Sequence, residues 1–434
     1  MDATTISVIV SFGLLIILFS AGVHIGATLA FAGVVGAVVF TGNWSSGLNM
    51  ILLQTMDVSS SYTLMVIPLF IVLGTLASAS GITTDLFTCF YRWFGRISGG
   101  VGVAVIATCA GMASITGSSV ASASAMSKIA MPEFRRYKYD ERLAVGAIAT
   151  GGTLSIMIPP SITLVLFALF AEASVGKLLI AGILPGFLIA FLYAAVIYIR
   201  CRINPALGPV GTVFTWKERF ESLPPILPFL SIVGSVLSGI LLGVWTPVES
   251  AAVGAVLVIL TGFLRRRLTV PVVFLACVDG VITSASVFLV VIGSLIFGQF
   301  LALNGFAEIL ADTIKSMNLS SLGLFLLLIG IYFILGCLME VTSILALTVP
   351  LFMPLIATVG WNPIWFGVMV VSMMEVAAVT PPVGLNLYAV KAALPDVSLE
   401  TIFKGATPFW MMNIIAIFIF YVFPEIVLYL PGKM

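Results

Sequence analysis

Charge is what this 434-residue chain has least of: Asp, Glu, Lys and Arg together make up 9% of it. Soluble domains carry about 25%. A surface so poor in charge must face something other than water, and a hydrophobic share of 61% points to a bilayer. Histidine is scarcer still. His24 is the single one, set between the first two apolar runs, and reads as an interfacial residue. That count excludes a Ser-His-Asp triad built on a second histidine and an HExxH zinc site. The five cysteines (Cys89, Cys109, Cys201, Cys277 and Cys337) lie in or beside apolar stretches with no metal-ligand spacing, and read as small core residues. With a net charge of +1 there is no bulk field for nucleic acid. The opening Met1-Asp2-Ala3-Thr4-Thr5 lacks the basic stretch of a signal peptide, so the apolar run from Ile6 is expected to be a retained span.

What is present is apolar sequence in blocks of spanning length, which takes about 20 residues. Spans are predicted near 6–22, 24–41, 64–81, 143–171, 178–199, 226–243, 247–264, 272–300, 363–390 and 407–430. No span is assigned between 41 and 64. From Asp85 to Arg96 apolar and charged residues mix, as in a helix lying at the membrane interface. Phe306 to Met317 is a second such arm, with Glu308, Asp312 and Lys315 on its polar side. Basic clusters mark the cytoplasmic loops. They are Arg92/Arg96, Arg135/Arg136/Lys138/Arg142, Arg200/Arg202/Lys217/Arg219, Arg265/Arg266/Arg267 and Lys391/Lys404, and the alternation between them leaves both termini periplasmic.

Two apolar stretches do not fit as spans. Residues 97–134 carry only Lys128 and Glu133 as charges and are flanked by basic clusters at both ends. The chain must therefore enter and leave on one side. Two arms of about 15 residues reach roughly 22 Å each, short of a ~30 Å core, so the segment reads as a re-entrant hairpin. Its midpoint is Thr116-Gly117-Ser118-Ser119. Residues 320–362 behave alike, with the lone charge Glu340 beside Val341-Thr342-Ser343, and should open to the opposite face.

The two hairpins head matching units. After the first comes Gly151-Gly152-Thr153 and then Ile158-Pro159-Pro160-Ser161; after the second comes Val379-Thr380-Pro381-Pro382-Val383-Gly384. Thr116 to Pro159 is 43 positions, and Glu340 to Pro381 is 41. Pro185 and Pro408 follow at 26 and 27 positions. A hairpin, a broken span and a further span thus occur twice from opposite faces, an inverted-topology repeat. The boundaries are 1–63 for N-terminal scaffold spans, 64–202 for the first repeat, 203–271 for central scaffold spans and 272–434 for the second repeat. The expected fold class is an all-α polytopic membrane protein, an inverted-repeat, elevator-type transporter with two re-entrant hairpins and broken helices. Paired prolines remove backbone donors, so each Pro-Pro should open its helix. The freed carbonyls suit a cation, and half-helix N-termini suit a carboxylate. Each motif has a plainer reading: a proline kink, a small-residue packing patch at Thr116 to Ser119, and structural buried acids at Glu340 and Glu375. Two like constellations at like spacing favour function.

These strings also carry a resemblance. Gly117-Ser118-Ser119-Val120-Ala121, Ile158-Pro159-Pro160-Ser161 and Thr380-Pro381-Pro382-Val383-Gly384-Leu385-Asn386-Leu387 resemble the large membrane subunit of tripartite ATP-independent periplasmic (TRAP) transporters, over nearly the whole chain. Ser155, Ala377/Ala378 and Lys138 depart from the usual pattern. The resemblance implies sodium-coupled uptake of a small organic anion, a carboxylate, across the bacterial inner membrane. The implied partners are a small four-span membrane subunit and a soluble periplasmic substrate-binding protein. Sodium (Na+), with no organic cofactor, is placed on Ser118, Ser119, Gly151 and Thr153 in the first half and on Glu340, Thr342, Thr380 and Gly384 in the second. The substrate is placed at Thr116, Gly117, Ser118, Pro159, Pro160, Ser161, Thr342, Ser343, Pro382 and Asn386. Two rivals stand beside this. A divalent-anion carrier that needs no binding protein also uses paired hairpins. An intramembrane enzyme with Ser118 or Ser119 as nucleophile lacks an oriented base, since only Lys128 and Glu133 lie in that hairpin. A channel fits poorly without a charged ring.

Overall fold

Helix capping and glycine placement explain most of the element boundaries in the computed structural model. It describes residues 3–434 apart from 318, 337, 338, 382 and 383, and the backbone alone of 307, 308, 311 and 315. Pro382 and Cys337 therefore lie outside the described residues, as do the side chains of Glu308 and Lys315. The described residues are helical, with no strand. Among the described residues seven helices are long and apolar enough to cross a membrane, or up to nine if each of two bent pairs is one span.

One helix had no counterpart in the sequence reading. Trp44–Ser60 forms 17 residues of helix, capped by Asn43, whose side chain accepts from the Ser45 N–H. Asn49, Gln54 and Asp57 interrupt its apolar run, which is why hydropathy alone passes over it. It bends by 67° into the next helical stretch, Thr63–Ala79. Its other face is apolar and exposed at Trp44, Leu48, Leu52, Leu53 and Met56.

The first hairpin has arms Gly100–Thr116 and Ser119–Arg136. At 17 and 18 residues these reach roughly 26 Å each. Both of its ends meet one loop: the Gly99 N–H donates to Gly208 O, the Asp140 N–H to Leu207 O, and the Tyr137 hydroxyl pairs with Thr212. Arg92 donates to the Glu218 carbonyl at 3.0 Å, and Asp85 accepts from Arg265 at 2.8 Å and Arg267 at 3.0 Å. Four of the five basic clusters are thus drawn to one end of the molecule. The second hairpin has arms Ser321–Gly336 and Val341–Val359.

Each hairpin follows an arm helix (Ile82–Phe94, then Phe306–Ser316) and precedes a broken helix. The first broken helix is Glu141–Met157 plus Ile162–Phe170, bent by 42°. The second is Pro363–Ala377 plus Leu385–Ala393. A final span closes each unit, Ile183–Ile203 in the first and Leu399–Val422 in the second. The break in the first unit begins at Ile158, beyond Gly151-Gly152-Thr153, so those residues stay in regular helix. Mid-helix glycine costs only about 1 kcal/mol, and here it is used for packing. A Cβ on Gly152 would come 2.9 Å from Ser119 O, and one on Gly151 would meet the Cys109 sulfur at the same distance.

The units lock together where backbones cross without side chains between them. A Cβ on Gly146 would lie 2.2 Å from Gly405 O, so helices 141–157 and 399–422 touch backbone to backbone. Gly26 and Gly293 do the same for helices 25–41 and 270–303. Small residues of this kind are what let apolar helices associate inside a bilayer. The shared loop at both ends of the first hairpin yields a direct check. Single cysteines at Ser98 and Arg136, in a background freed of native cysteines, should give the same answer to a membrane-impermeant thiol reagent applied to intact cells. If one position labels and the other does not, the segment crosses the membrane and is no hairpin.

Candidate functional site

Four helix beginnings converge on one cavity. It holds about 620 Å³ and its wall includes Ser119, Val120 and Ala121, Ile162 and Thr163, Val341 and Thr342, and Leu385. These are the first residues of the second hairpin arms and of the second half of each broken helix. The first turn of a helix leaves N–H groups without intrahelical acceptors and carries partial positive charge. The two repeats thus aim four such ends at one space, as the inverted-repeat arrangement allows.

How each end is capped differs. At the first tip Gly117 adopts φ 57°, and Ser118 accepts from the Ala121 N–H at a long 3.4 Å. A Cβ on Gly117 would sit 3.2 Å from Pro160 O, so the tip rests on the helix break. Ser161 is fully buried; its hydroxyl donates to Ile156 O and accepts from the Leu164 N–H at 3.2 Å. It closes the break and caps the next half-helix. At the second tip Glu340 accepts from the N–H groups of Thr342 at 2.9 Å and Ser343 at 3.3 Å, and from the Thr342 hydroxyl at 3.0 Å. Its carboxylate occupies that helix start. Gly384, at φ 54°, turns the chain into the last half-helix with no side-chain cap.

Of the residues named from sequence, Thr116, Gly117, Ser118, Ser119, Glu340 and Thr342 line the cavity. The described wall does not include Pro159, Pro160, Ser161, Ser343 or Asn386, nor Gly151, Thr153, Thr380 or Gly384. Asn386 is buried and donates to Ala149 O at 3.2 Å, tying the second broken helix to the first. The Thr380 hydroxyl donates back to Val376 O, and the Thr153 hydroxyl donates to Thr150 O at 2.7 Å. A back-bonded hydroxyl keeps its oxygen lone pairs. Ala378 to Pro381 follow the first half of the second broken helix, and Gly384 directly precedes the second.

Three features were not named from sequence. One wall comes from the opening helix of each repeat, which packs on the scaffold spans and is counted with them: Gly74, Thr75 and Ser78 on helix 66–79, and Asp279 and Thr283 on helix 270–303. An aspartate inside the apolar run 272–300 was the available signal, since an intramembrane acid is costly unless it serves a purpose. Thr116, Ser122 and Ser155 form a buried hydroxyl chain with steps of 3.0 and 2.9 Å, so Ser155, the departure from the family pattern, earns a partner at the hairpin. Behind the site, Asn413 donates to Glu375 at 2.7 Å and to the Tyr193 hydroxyl at 3.3 Å, all three fully buried. This joins helices 363–377, 399–422 and 183–203 with one polar knot.

Comparison with known proteins agrees with this geometry. The sequence profile of the tripartite ATP-independent periplasmic transporter DctM component matches residues 12–426. The chain belongs to the DctM family. It is 32% identical to the C4-dicarboxylate TRAP transporter large permease protein DctM of Pseudomonas aeruginosa, over 93% of this chain and 94% of that one. It is 29% identical to the sialic acid TRAP transporter large permease protein SiaM of Vibrio cholerae, over 97% of both. The crystal structure of the Alcanivorax borkumensis YdaH transporter shares the fold, with a TM-score of 0.63 at 12% identity over 88% of this chain and 90% of that one. This TRAP large permease is therefore a multi-pass inner-membrane transporter subunit and not an enzyme.

The close approach of scaffold to tip should be sensitive to bulk. A Cβ on Gly74 would fall 2.5 Å from Thr116 O, against open space at Gly234. Gly74→Val is expected to cut substrate uptake at least about ten-fold with normal amounts in the membrane, while Gly234→Val leaves it unchanged. Equal uptake by both variants would show that the Thr116 tip tolerates displacement.

Proposed function

We propose that this permease carries out sodium-coupled uptake of a small carboxylate handed over by a soluble periplasmic binding protein. The observation that carries the reading is the single cavity bounded by both hairpin tips and four helix starts. Unpaired first-turn N–H groups at Ser119 and Val120 are suited to a carboxylate. The DctM family is by description one component of a tripartite system, which supports a small four-span membrane subunit and a binding protein as partners. The exposed apolar face of helix 44–60, beside the N-terminal spans, is a surface of the right kind for the small subunit.

Sodium is the coupling ion in this reading. Oxygens of Ser118 and Ser119 at one tip, and of Glu340 and Thr342 at the other, border the cavity. Thr380 and Gly384 lie between Ala378 and Leu385, which line it, and would add carbonyl oxygens. A hard cation favours several such oxygens at once. Gly151 and Thr153 contribute less readily, because their carbonyls sit within unbroken helix. A bound cation offsets the charge of a carboxylate in a space of low dielectric. The hairpins and broken helices then move as a unit against the scaffold, carrying the site between faces, with both termini on the periplasmic side.

The test is uptake in proteoliposomes under a sodium gradient, with the large subunit, small subunit and binding protein added in combinations. Only the full set should transport. Thr380→Val should raise the sodium needed for half-maximal uptake without lowering the amount of protein in the membrane. Robust uptake by the large subunit alone would favour a binding-protein-independent carrier, and uptake driven equally by a proton gradient without sodium would overturn the choice of ion.

A further inference from the structure

The charges around the cavity are of one sign. Among its described lining residues, Asp279 and Glu340 are the charged ones, and no Lys, Arg or His is present. A dicarboxylate entering this space would meet two like charges with no cationic side chain to balance them, an arrangement that costs affinity.

The two acids are not equivalent. Glu340 is spent on its own helix, holding the N–H groups of Thr342 and Ser343 and the Thr342 hydroxyl. It fills the helix start that a second ligand carboxylate would otherwise use. The first tip is the opposite case. Its cap is the neutral Ser118 at 3.4 Å from the Ala121 nitrogen, and its arm of 18 residues begins at the cavity wall. The start at Leu385 is uncapped too, but its helix is only 9 residues long, so the first tip offers a ligand carboxylate the stronger place.

Asp279 stands on the scaffold wall. It is exposed, and it takes part in none of the ion pairs among the described residues. Its neighbours along the wall are Val272, Leu275, Ala276 and Val287, with the Thr283 hydroxyl one turn on. An acid among aliphatic side chains, facing a cavity, suits a cationic nitrogen with hydrocarbon beside it.

We propose that the cavity takes a zwitterion, with its carboxylate on the Ser119–Val120 N–H groups of the first hairpin tip and its cationic nitrogen against Asp279. This rests on the transport reading and narrows its substrate class. A ligand of near-zero net charge leaves the sodium ions to balance Glu340 and Asp279 rather than the substrate.

The probes are matched pairs that differ only in one end group: 4-aminobutyrate against succinate, and 5-aminovalerate against glutarate. Binding to the full chain in lipid nanodiscs, with sodium present, would be read by the shift in melting temperature across ligand concentrations. In at least one pair the amino acid should bind about ten-fold or more tightly than the dicarboxylate, a difference of about 1.4 kcal/mol. Asp279→Asn should erase that preference, and Asp279→Lys should reverse it, an outcome that misfolding cannot imitate. Tighter binding of the dicarboxylates, binding of neither member of either pair, or an unchanged preference in Asp279→Asn would each overturn the inference. So would a variant whose sodium requirement moves while its ligand preference does not, since Asp279 would then be a cation ligand. Partner-dependent uptake is decided by the separate omission assay, so a dicarboxylate result here would leave the transport reading standing.

Discussion

A backbone N–H or C=O that loses its partner inside a bilayer has no water to turn to, and leaving it bare costs several kcal/mol. Every unusual feature of this permease is an answer to that constraint. The chain stops helices inside apolar stretches in four places, and the helix start that follows each of them borders one cavity. Ser118, Ser161 and Glu340 satisfy helix starts with side-chain oxygens, and Gly384 turns the chain where no side chain helps. The first-turn N–H groups of Ser119 and Val120 are left facing the cavity between the tips.

Bringing those helix starts together requires that the broken elements be held rigidly relative to each other. Gly146 against Gly405 brings two helices into backbone contact, and the Glu375–Asn413–Tyr193 knot ties two more helix pairs from within. Asn386 links the second broken helix to Ala149 of the first. Gly146 against Gly405, Asn413 to Tyr193 and Asn386 to Ala149 all cross between the two repeats and tie the halves together. The scaffold meets the first tip closely at Gly74. Small residues let the two backbones come this close.

Much of this was legible in the sequence, and the reasons are specific. The hairpin at 97–134 could be read because basic residues at both ends and a 38-residue stretch with only two charges between them admit one geometry. The repeat could be read because Pro-Pro pairs recur at near-equal spacing from each tip. Helix 44–60 was missed because Asn49, Gln54 and Asp57 dilute its hydropathy. The extent of the first break was overstated, since Gly151-Gly152 serves close packing against Cys109 and Ser119 and leaves the helix whole. The scaffold wall was invisible for a different reason. Asp279 and Ser78 reach the cavity through tertiary contacts between distant elements, and no local spacing announces them. Glu340 was legible as a lone acid at a tip, but its capping of its own helix start shows only in the fold.

The central claim is that the two tips border one substrate space. Single cysteines at Ser118 and at Thr342, each alkylated by a small thiol reagent in the reconstituted three-component system, test it most directly. A transported substrate should slow alkylation at both positions with the same concentration dependence. Protection of one tip without the other, at any substrate concentration, would mean that the cavity between them is not where the substrate sits.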